Sequence, residues 1–353
     1  MLEALIDRFG DGPVLMMAGA LVGVIFGLAA QHSRFCLRAA TVEVSGGRLG
    51  PRLSIWLVAF TSAVFAVQCA ILAGVLDVTE ARQLARTGSL SGAAVGGLMF
   101  GAGMILARGC ASRLLILSAT GNLRAILTGL VLTLVAQASL RGVLAPARET
   151  LAGLWLVDGG AARSLLAQTG LSSGTAAWAA GGALVAAIAL SRHRRMQASR
   201  IIAAICVGGS VALGWLLTYV IAQTSFDVVT ISSITFTGPS TDTLMGLVNS
   251  PNLPMGFGVG LVPGVFVGAA VMALVTREAK IERFGPDTPM ERYLIGAVLM
   301  GFGSMLAGGC AVGAGMSGGS VFATTAWLAV FCMWLGAMAT HRLMQTEHAP
   351  KTA

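Results

Sequence analysis

Charge is what this chain has least of. Only 11% of its 353 residues are Asp, Glu, Lys or Arg, against roughly 25% in a soluble domain. A water-facing surface needs more charge than that, so most of the surface faces lipid. Lysine is almost missing: Lys280 and Lys351 stand alone, and the remaining basic charge is arginine. No separate basic domain exists, which argues against a nucleic-acid partner. The six cysteines, Cys36, Cys69, Cys110, Cys206, Cys310 and Cys332, include no CxxC pair. That speaks against a dithiol redox motif and a structural zinc site. Only four histidines occur, so a transition-metal site is poorly supported and no metal or cofactor is expected. No GxxxxGK[ST] loop is present, which removes the usual nucleotide-driven pump.

Apolar and small residues are abundant. Hydrophobic residues make up 56% of the chain and Gly alone contributes 47 positions. Small residues let helix backbones approach closely in a bilayer. About nine apolar runs approach the roughly 20 residues that a spanning helix needs. They lie near Val14–Gln31, Leu53–Leu76, Leu90–Ala107, Leu123–Leu140, Thr175–Leu190, Ile201–Ala222, Met255–Val275, Tyr293–Ala307 and Phe322–Thr340. The expected fold is an all-α polytopic membrane protein, with Leu151–Leu171 as an interfacial helix. The first thirteen residues carry Glu3, Asp7 and Asp11 against Arg8. A secretory signal needs a cationic start, so the first run is expected to be retained as a membrane helix.

Arginine alternates between the connections. Arg34, Arg38, Arg48 and Arg52 follow the first run, Arg108 and Arg113 the third, Arg192 to Arg200 the fifth, and Arg277 to Arg292 the seventh. The sixth and eighth connections carry none. Basic loops stay in the cytoplasm. The expected topology is an outer N-terminus and an inner C-terminus.

Two connections are too apolar to be ordinary loops: Cys110–Thr120, CASRLLILSAT, and Cys310–Ser320, CAVGAGMSGGS. Such stretches read as re-entrant half-helices, which survive at membrane depth only inside protein or beside a polar cavity. They also end an internal repeat. Gly96–Ala111, GGLMFGAGMILARGCA, aligns without a gap on Gly296–Ala311, GAVLMGFGSMLAGGCA. The two copies are separated by an odd number of predicted spans, so they enter from opposite sides. Such inverted repeats commonly place a transporter's substrate site near the midplane. The expected halves are residues 1–174 and 175–353.

Three stretches carry a family resemblance: QHSRFCLRAA at Gln31–Ala40, GAGMILARGC at Gly101–Cys110, and GFGSMLAGGCAVGAGMSGG at Gly301–Gly319. With SITFTGPS at Ser233–Ser240, they resemble the YeeE/YedE family of sulphur-transport proteins, which includes bacterial thiosulfate importers. The resemblance implies an hourglass fold whose re-entrant loops meet at a closed centre lined by three cysteines. On this chain those are Cys36, Cys110 and Cys310, with Thr237 and Gly238 of the SITFTGPS stretch in support. Two positions depart from the pattern: Ala314 stands where many relatives have His, and Arg108 where many have a small residue. Both bear on which anion passes.

Thiol chemistry suits a sulphur oxyanion. A neutral thiol is a weak donor with a polarizable sulphur, able to touch a soft terminal sulphur without holding it. Transport needs weak binding spread over several stations. Gly109 and Gly309 let an anion approach the main chain, and helix starts after Cys110 and Cys310 offer N–H donors. Arg34, Arg38 and Arg113 add attraction on the cytoplasmic side or serve as topological anchors. Cys69, Cys206 and Cys332 lie inside continuous helical runs and read as packing residues. The expected function is import of a small sulphur anion, thiosulfate first. A cytoplasmic sulphurtransferase is a candidate partner. The rivals are a membrane thiol or persulfide enzyme, a transporter of a selenium compound or another solute, and a structural subunit.

Overall fold

All nine apolar runs are helical. The computed structural model describes residues 2–249, 253, 255–284 and 289–348. Twelve helices carry the argument. They are α1 (Asp11–Ser33), α2 (Leu37–Ser45), α3 (Pro51–Leu72), α4 (Leu90–Leu106), α5 (Ala111–Ala119) and α6 (Leu123–Arg141) in the first part of the chain. They continue with α7 (Ser173–His193), α8 (Ala198–Thr224), α9 (Thr237–Asn249), α10 (Phe257–Val275), α11 (Met290–Leu306) and α12 (Thr324–His348). A π-helix, Gly313–Gly318, separates the last two. Among the described residues, seven segments are long and apolar enough to cross a membrane, among them Asp11–Ser45 and Leu90–Ala119, each of which joins a long helix to the short one after it. The fold is an all-α polytopic membrane architecture.

Local chemistry sets the boundaries. Pro51 opens α3, where a missing N–H costs nothing. Asn122 caps α6 by accepting the Ala125 N–H at 3.0 Å, and Ser89 caps α4 by accepting that of Gly92 at 2.8 Å.

Helix packing is reciprocal. α1 lies along α10, and α8 along α3; α4 lies along α12, and α11 along α6; α4 and α11 cross each other. The repeated residues meet at that crossing. A Cβ built on Gly96 would stand 2.5 Å from the Ala307 nitrogen, and one on Gly296 would stand 2.6 Å from the Ala107 nitrogen. The α1–α10 seam is closer still. Cβ atoms on Gly19, Gly23 and Gly27 would fall 2.0, 2.4 and 2.3 Å from carbonyl oxygens of α10, and one on Gly260 would fall 1.9 Å from the Met16 oxygen. The two backbones touch because glycine leaves nothing between them. α7 packs on α3.

The Leu151–Leu171 segment is not one interfacial helix. It holds the end of a short helix (Ala145–Gly153), a two-residue strand Leu156–Val157 that pairs antiparallel with Gly88–Ser89, a 3₁₀ turn Gly160–Arg163 and the helix Leu165–Thr169. Gly159 and Gly160 break the helical run, the latter at φ 82°. Arg163 turns inward, 8% exposed, and donates to the Arg86 carbonyl at 2.6 Å and to Thr325 Oγ1 at 2.7 Å.

Between α8 and α9 the chain runs without helix from Ser225 to Phe236. Its buried part is satisfied by hydroxyls. Thr218 donates to the Ser232 carbonyl, Ser317 to that of Ile234, and Ser233 to that of Val211, each at 2.6 Å. Irregular backbone at this depth requires such partners.

Candidate functional site

Each motif cysteine follows the same turn. The long helix before it ends in a left-handed residue two positions ahead of the cysteine: Arg34 (φ 55°), Arg108 (φ 55°) and Gly308 (φ 77°). The next N–H reaches back five residues, Phe35 to Ala30 at 3.1 Å, Gly109 to Met104 at 3.1 Å and Gly309 to Ser304 at 2.9 Å. This is the Schellman closure of a helix C-terminus. The cysteine is then extended and starts a new helix. Cys36 and Cys110 occupy the N-cap positions of α2 and α5, and neither helix is capped by a side chain. Their first-turn N–H groups stay available to an acceptor. After Cys310 the new helix is of the π type, and the Gly313 N–H lies 3.5 Å from Cys310 Sγ.

Cys36 and Cys110 come together. The two thiols lie within electrostatic reach of each other, and Arg113 and Arg38 lie within electrostatic reach of Cys36. Cys110 is buried to 1% exposure and Cys36 is half-buried. Ser112 Oγ stands 3.4 Å from Cys110 Sγ. Arg113 Nη1 donates to Gln31 Oε1 at 3.2 Å, while Gln31 Nε2 donates to Glu278 Oε2 at 2.8 Å. Glu278 Oε1 accepts from Arg34 at 2.6 Å. The Arg34 guanidinium holds the Glu278 carboxyl below the usual carboxylate range, with burial opposing it and Gln31 assisting. Arg38 has no carboxylate partner among the described residues, and its Nε is buried and unpaired.

Glu278 belongs to a strap that follows α10. The Lys280 N–H bonds the Thr120 carbonyl at 3.0 Å, and the Leu123 N–H bonds that of Glu282 at 2.9 Å. The Glu282 carboxylate accepts from Asn122 and Arg124. The strap thus fastens the ends of α1, α5 and α6 to one another.

Cys310 has a different setting. It is 1% exposed, and Thr235 Oγ1 lies 4.0 Å from its sulphur. A Cβ on Gly313 would fall 2.3 Å from the same hydroxyl, and one on Gly309 would fall 2.9 Å from the Ala314 nitrogen. A cavity of about 330 Å³ opens on this side, lined by Arg82, Ser233, Thr235, Gly238, Asp242 and Gly309 among others. A neighbouring cavity of about 490 Å³ shares Asp242 and brings in Arg141.

Of the residues named from sequence, the structure gathers Cys36, Cys110, Arg38 and Arg113 in one cluster with Arg34 at its rim. It gathers Gly238 and Gly309 in a second, next to Cys310. Thr237 lies between, lining an apolar cavity of about 340 Å³ with Ala111 and Leu114. Gly109 packs under Leu114, whose Cδ2 would lie 3.3 Å from an added Cβ. Cys69 and Cys332 lie inside α3 and α12, and Cys206 is exposed on α8. Sequence reasoning missed Gln31, Glu278, Thr235 and an aromatic trio. Phe26 stands 5.2 Å from Phe236 and 6.5 Å from Phe35 between ring centroids. Phe35 precedes Cys36, Phe236 precedes Thr237, and both were visible beside the quoted motifs.

The chain resembles known proteins over most of its length. The chain is 25% identical over 349 residues to the thiosulfate transporter TsuA of Escherichia coli K12, covering 91% of this chain and 92% of that one. It is 27% identical over 345 residues to the thiosulfate transporter TsuA of Spirochaeta thermophila, covering 91% and 97%. The family described as sulphur transport matches residues 32–339, a span that contains all three motif cysteines and the helices α4 and α11, and the chain belongs to that family.

Proposed function

We propose that the protein imports thiosulfate across a bacterial inner membrane, along a path through Cys310, Cys110 and Cys36. The observation that carries this reading is the shared turn before each cysteine. It presents three thiols, two of them fully buried, at the starts of short helices in the interior of a membrane protein. The thiols engage the soft terminal sulphur in turn. Gly109, Gly309 and Gly238 keep the main chain accessible, and Arg38 and Arg113 favour the anion near the second and third thiols. Arg34 serves mainly through its pair with Glu278.

The halves 1–174 and 175–353 act as an inverted repeat of about nine spans. Support comes from the reciprocal packing of α1–α10 against α8–α3 and from the meeting of Gly96 and Gly296 with each other's helices. The arginine alternation favours an outer N-terminus and an inner C-terminus, which puts the Cys310 cavity outside and the Glu278 strap in the cytoplasm. A cytoplasmic sulphurtransferase that receives thiosulfate would meet the strap side.

One observation favours a second reading. Cys36 and Cys110 lie within electrostatic reach of each other, as paired thiols of an enzyme would. In a persulfide enzyme one thiolate would attack the terminal sulphur of thiosulfate, leaving a cysteine persulfide and releasing sulfite. Proteoliposomes separate the two. Carrier activity delivers intact radiolabelled thiosulfate to the lumen and releases no sulfite. Stoichiometric sulfite release without luminal thiosulfate would establish the enzyme instead.

A further inference from the structure

Thr237 is the first residue of α9, and its hydroxyl is unusual among the buried threonines. Its side chain is 1% exposed, and Oγ1 has no hydrogen-bond partner. Thr41, Thr128, Thr133, Thr218 and Thr241 all bond a carbonyl three or four residues back in their own helices. Thr237 has no helical turn beneath it, because residues 233–236 lie outside any helix. Its own carbonyl already accepts from Thr241 at 2.8 Å. A buried hydroxyl left unpaired in a native protein calls for a reason, and a ligand is one.

The neighbours of Thr237 supply that reason. Thr235 touches Cys310. Phe236 packs on Phe26, which packs on Phe35 beside Cys36. Thr237 shares a cavity with Ala111, the residue after Cys110. Gly238 faces the other cavity, the one that reaches Gly309 beside Cys310. Four consecutive residues therefore touch the surroundings of all three thiols, and Thr237 and Gly238, adjacent in the chain, line different cavities. A Cβ on Gly238 would meet nothing within 4 Å, so the main chain is open on that side.

We propose that the Thr237 hydroxyl donates to an oxygen of the anion as it passes from Cys310 to Cys110. This rests on the transport reading and deepens it: thiols hold the soft sulphur, and Thr237 holds the hard end. A hydroxyl is a stronger donor to oxygen than a thiol. Placing it between two thiols would favour an ion with both a sulphur end and an oxygen end over one with oxygens alone.

The test uses the full-length protein in proteoliposomes with radiolabelled thiosulfate. Thr237→Val keeps shape and deletes the hydroxyl; Thr237→Ser keeps the hydroxyl. Initial uptake is expected to fall at least about tenfold in Thr237→Val and to return within about threefold of wild type in Thr237→Ser. Thermal stability of Thr237→Val should match or exceed wild type, since an unpaired hydroxyl has been removed; a purely structural hydroxyl would lower it. Should Thr237→Val fail to accumulate, Thr237→Ala is judged by the same uptake criterion per reconstituted molecule. Wild-type uptake in a hydroxyl-free variant, or failure of Thr237→Ser to restore it, overturns the inference. Cys110→Ala is run alongside. If it is inactive while Thr237→Val is normal, only the Thr237 role is lost; if Cys110→Ala transports normally, the thiol path is lost; and if the wild type delivers no thiosulfate to the lumen, the transport reading itself fails.

Discussion

Cys110 and Cys310 follow the same turn at the same register, but the positions around them differ in charge. Where the first half has Arg108 and Arg113, the second has Gly308 and Gly313. Around Cys110 stand the Ser112 hydroxyl and, within electrostatic reach, the Arg113 guanidinium and the Cys36 thiol. Around Cys310 stand a threonine hydroxyl and a backbone N–H. The turn is the same, while the helix that follows and the chemistry around it differ. On the proposed path the neutral flank would receive an anion and let it go, and the cationic flank would draw it onward. The asymmetry supplies a direction of attraction within a nearly symmetric frame, since fixed charge in a dry site acts far more strongly than in water.

Breaking the comparison at its centre has the largest effect. Cys110→Ala is expected to reduce thiosulfate uptake in proteoliposomes by more than about a hundredfold. Folding should change little, because Ala nearly matches Cys in size and the packing loss is at most about 1–2 kcal/mol. Normal uptake at matched protein levels would remove the thiols from the mechanism. Gly313→Ala tests the neutral flank. The new Cβ would stand 2.3 Å from Thr235 Oγ1, so Thr235 must leave Cys310, and uptake should fall about tenfold or more with a stability loss of about 1–3 kcal/mol. Arg113→Gln sharpens the cationic flank. It removes charge near two thiols while leaving a donor for Gln31, and a rise in KM of about tenfold is expected from transport kinetics.

Smaller effects lie farther out. Glu278→Gln loses the ion pair with Arg34, which is 39% exposed and worth under about 1 kcal/mol. The Glu278 carboxyl is held below its ordinary value, so the pair contributes above the unfolded carboxylate range and is lost only as pH falls through the lowered folded value. The wild-type protein should therefore lose a small increment of stability under acid that Glu278→Gln lacks, measurable by thermal melts from neutral pH downward. Cys206→Ala, on the exposed face of α8, should leave uptake unchanged; a loss would mean that a fourth thiol takes part.

Much of the fold was legible because spanning helices announce themselves by length and composition. The nine runs, the half-helix after Cys110 and the short helix after Cys310 could all be read from apolar stretches and Gly-Cys-Ala endings. The half-helix after Cys36 was read as a basic loop, since Arg34 and Arg38 obscured the same turn that glycine reveals at Gly308. The segment 151–171 misled in the opposite direction, because an apolar composition with Trp155 hid the glycines that break it. At the site, single residues could be proposed from motifs but their grouping could not. Gln31, Thr235 and Glu278 act through partners 82, 75 and 244 positions away, and no local pattern records such distances. Phe26 likewise looks like any lipid-facing aromatic until its ring is found between Phe35 and Phe236.

The glycine seams limit how this molecule can work. At α1–α10 and at the α4–α11 crossing, main-chain atoms of the two halves are in contact. Rocking one half against the other would need those backbones to slide, and interlocked surfaces of this kind have discrete resting positions, not a continuous glide. The frame therefore behaves as a fixed ring, and the mobile parts must be small: a side-chain rotation, or a shift of one turn in a short helix. Opening such a gate exposes a barrier only a few residues thick for a brief time. A membrane can tolerate that leak risk when the barrier recloses at once, and on the proposed path the packed rings of Phe26, Phe35 and Phe236 would form such a barrier.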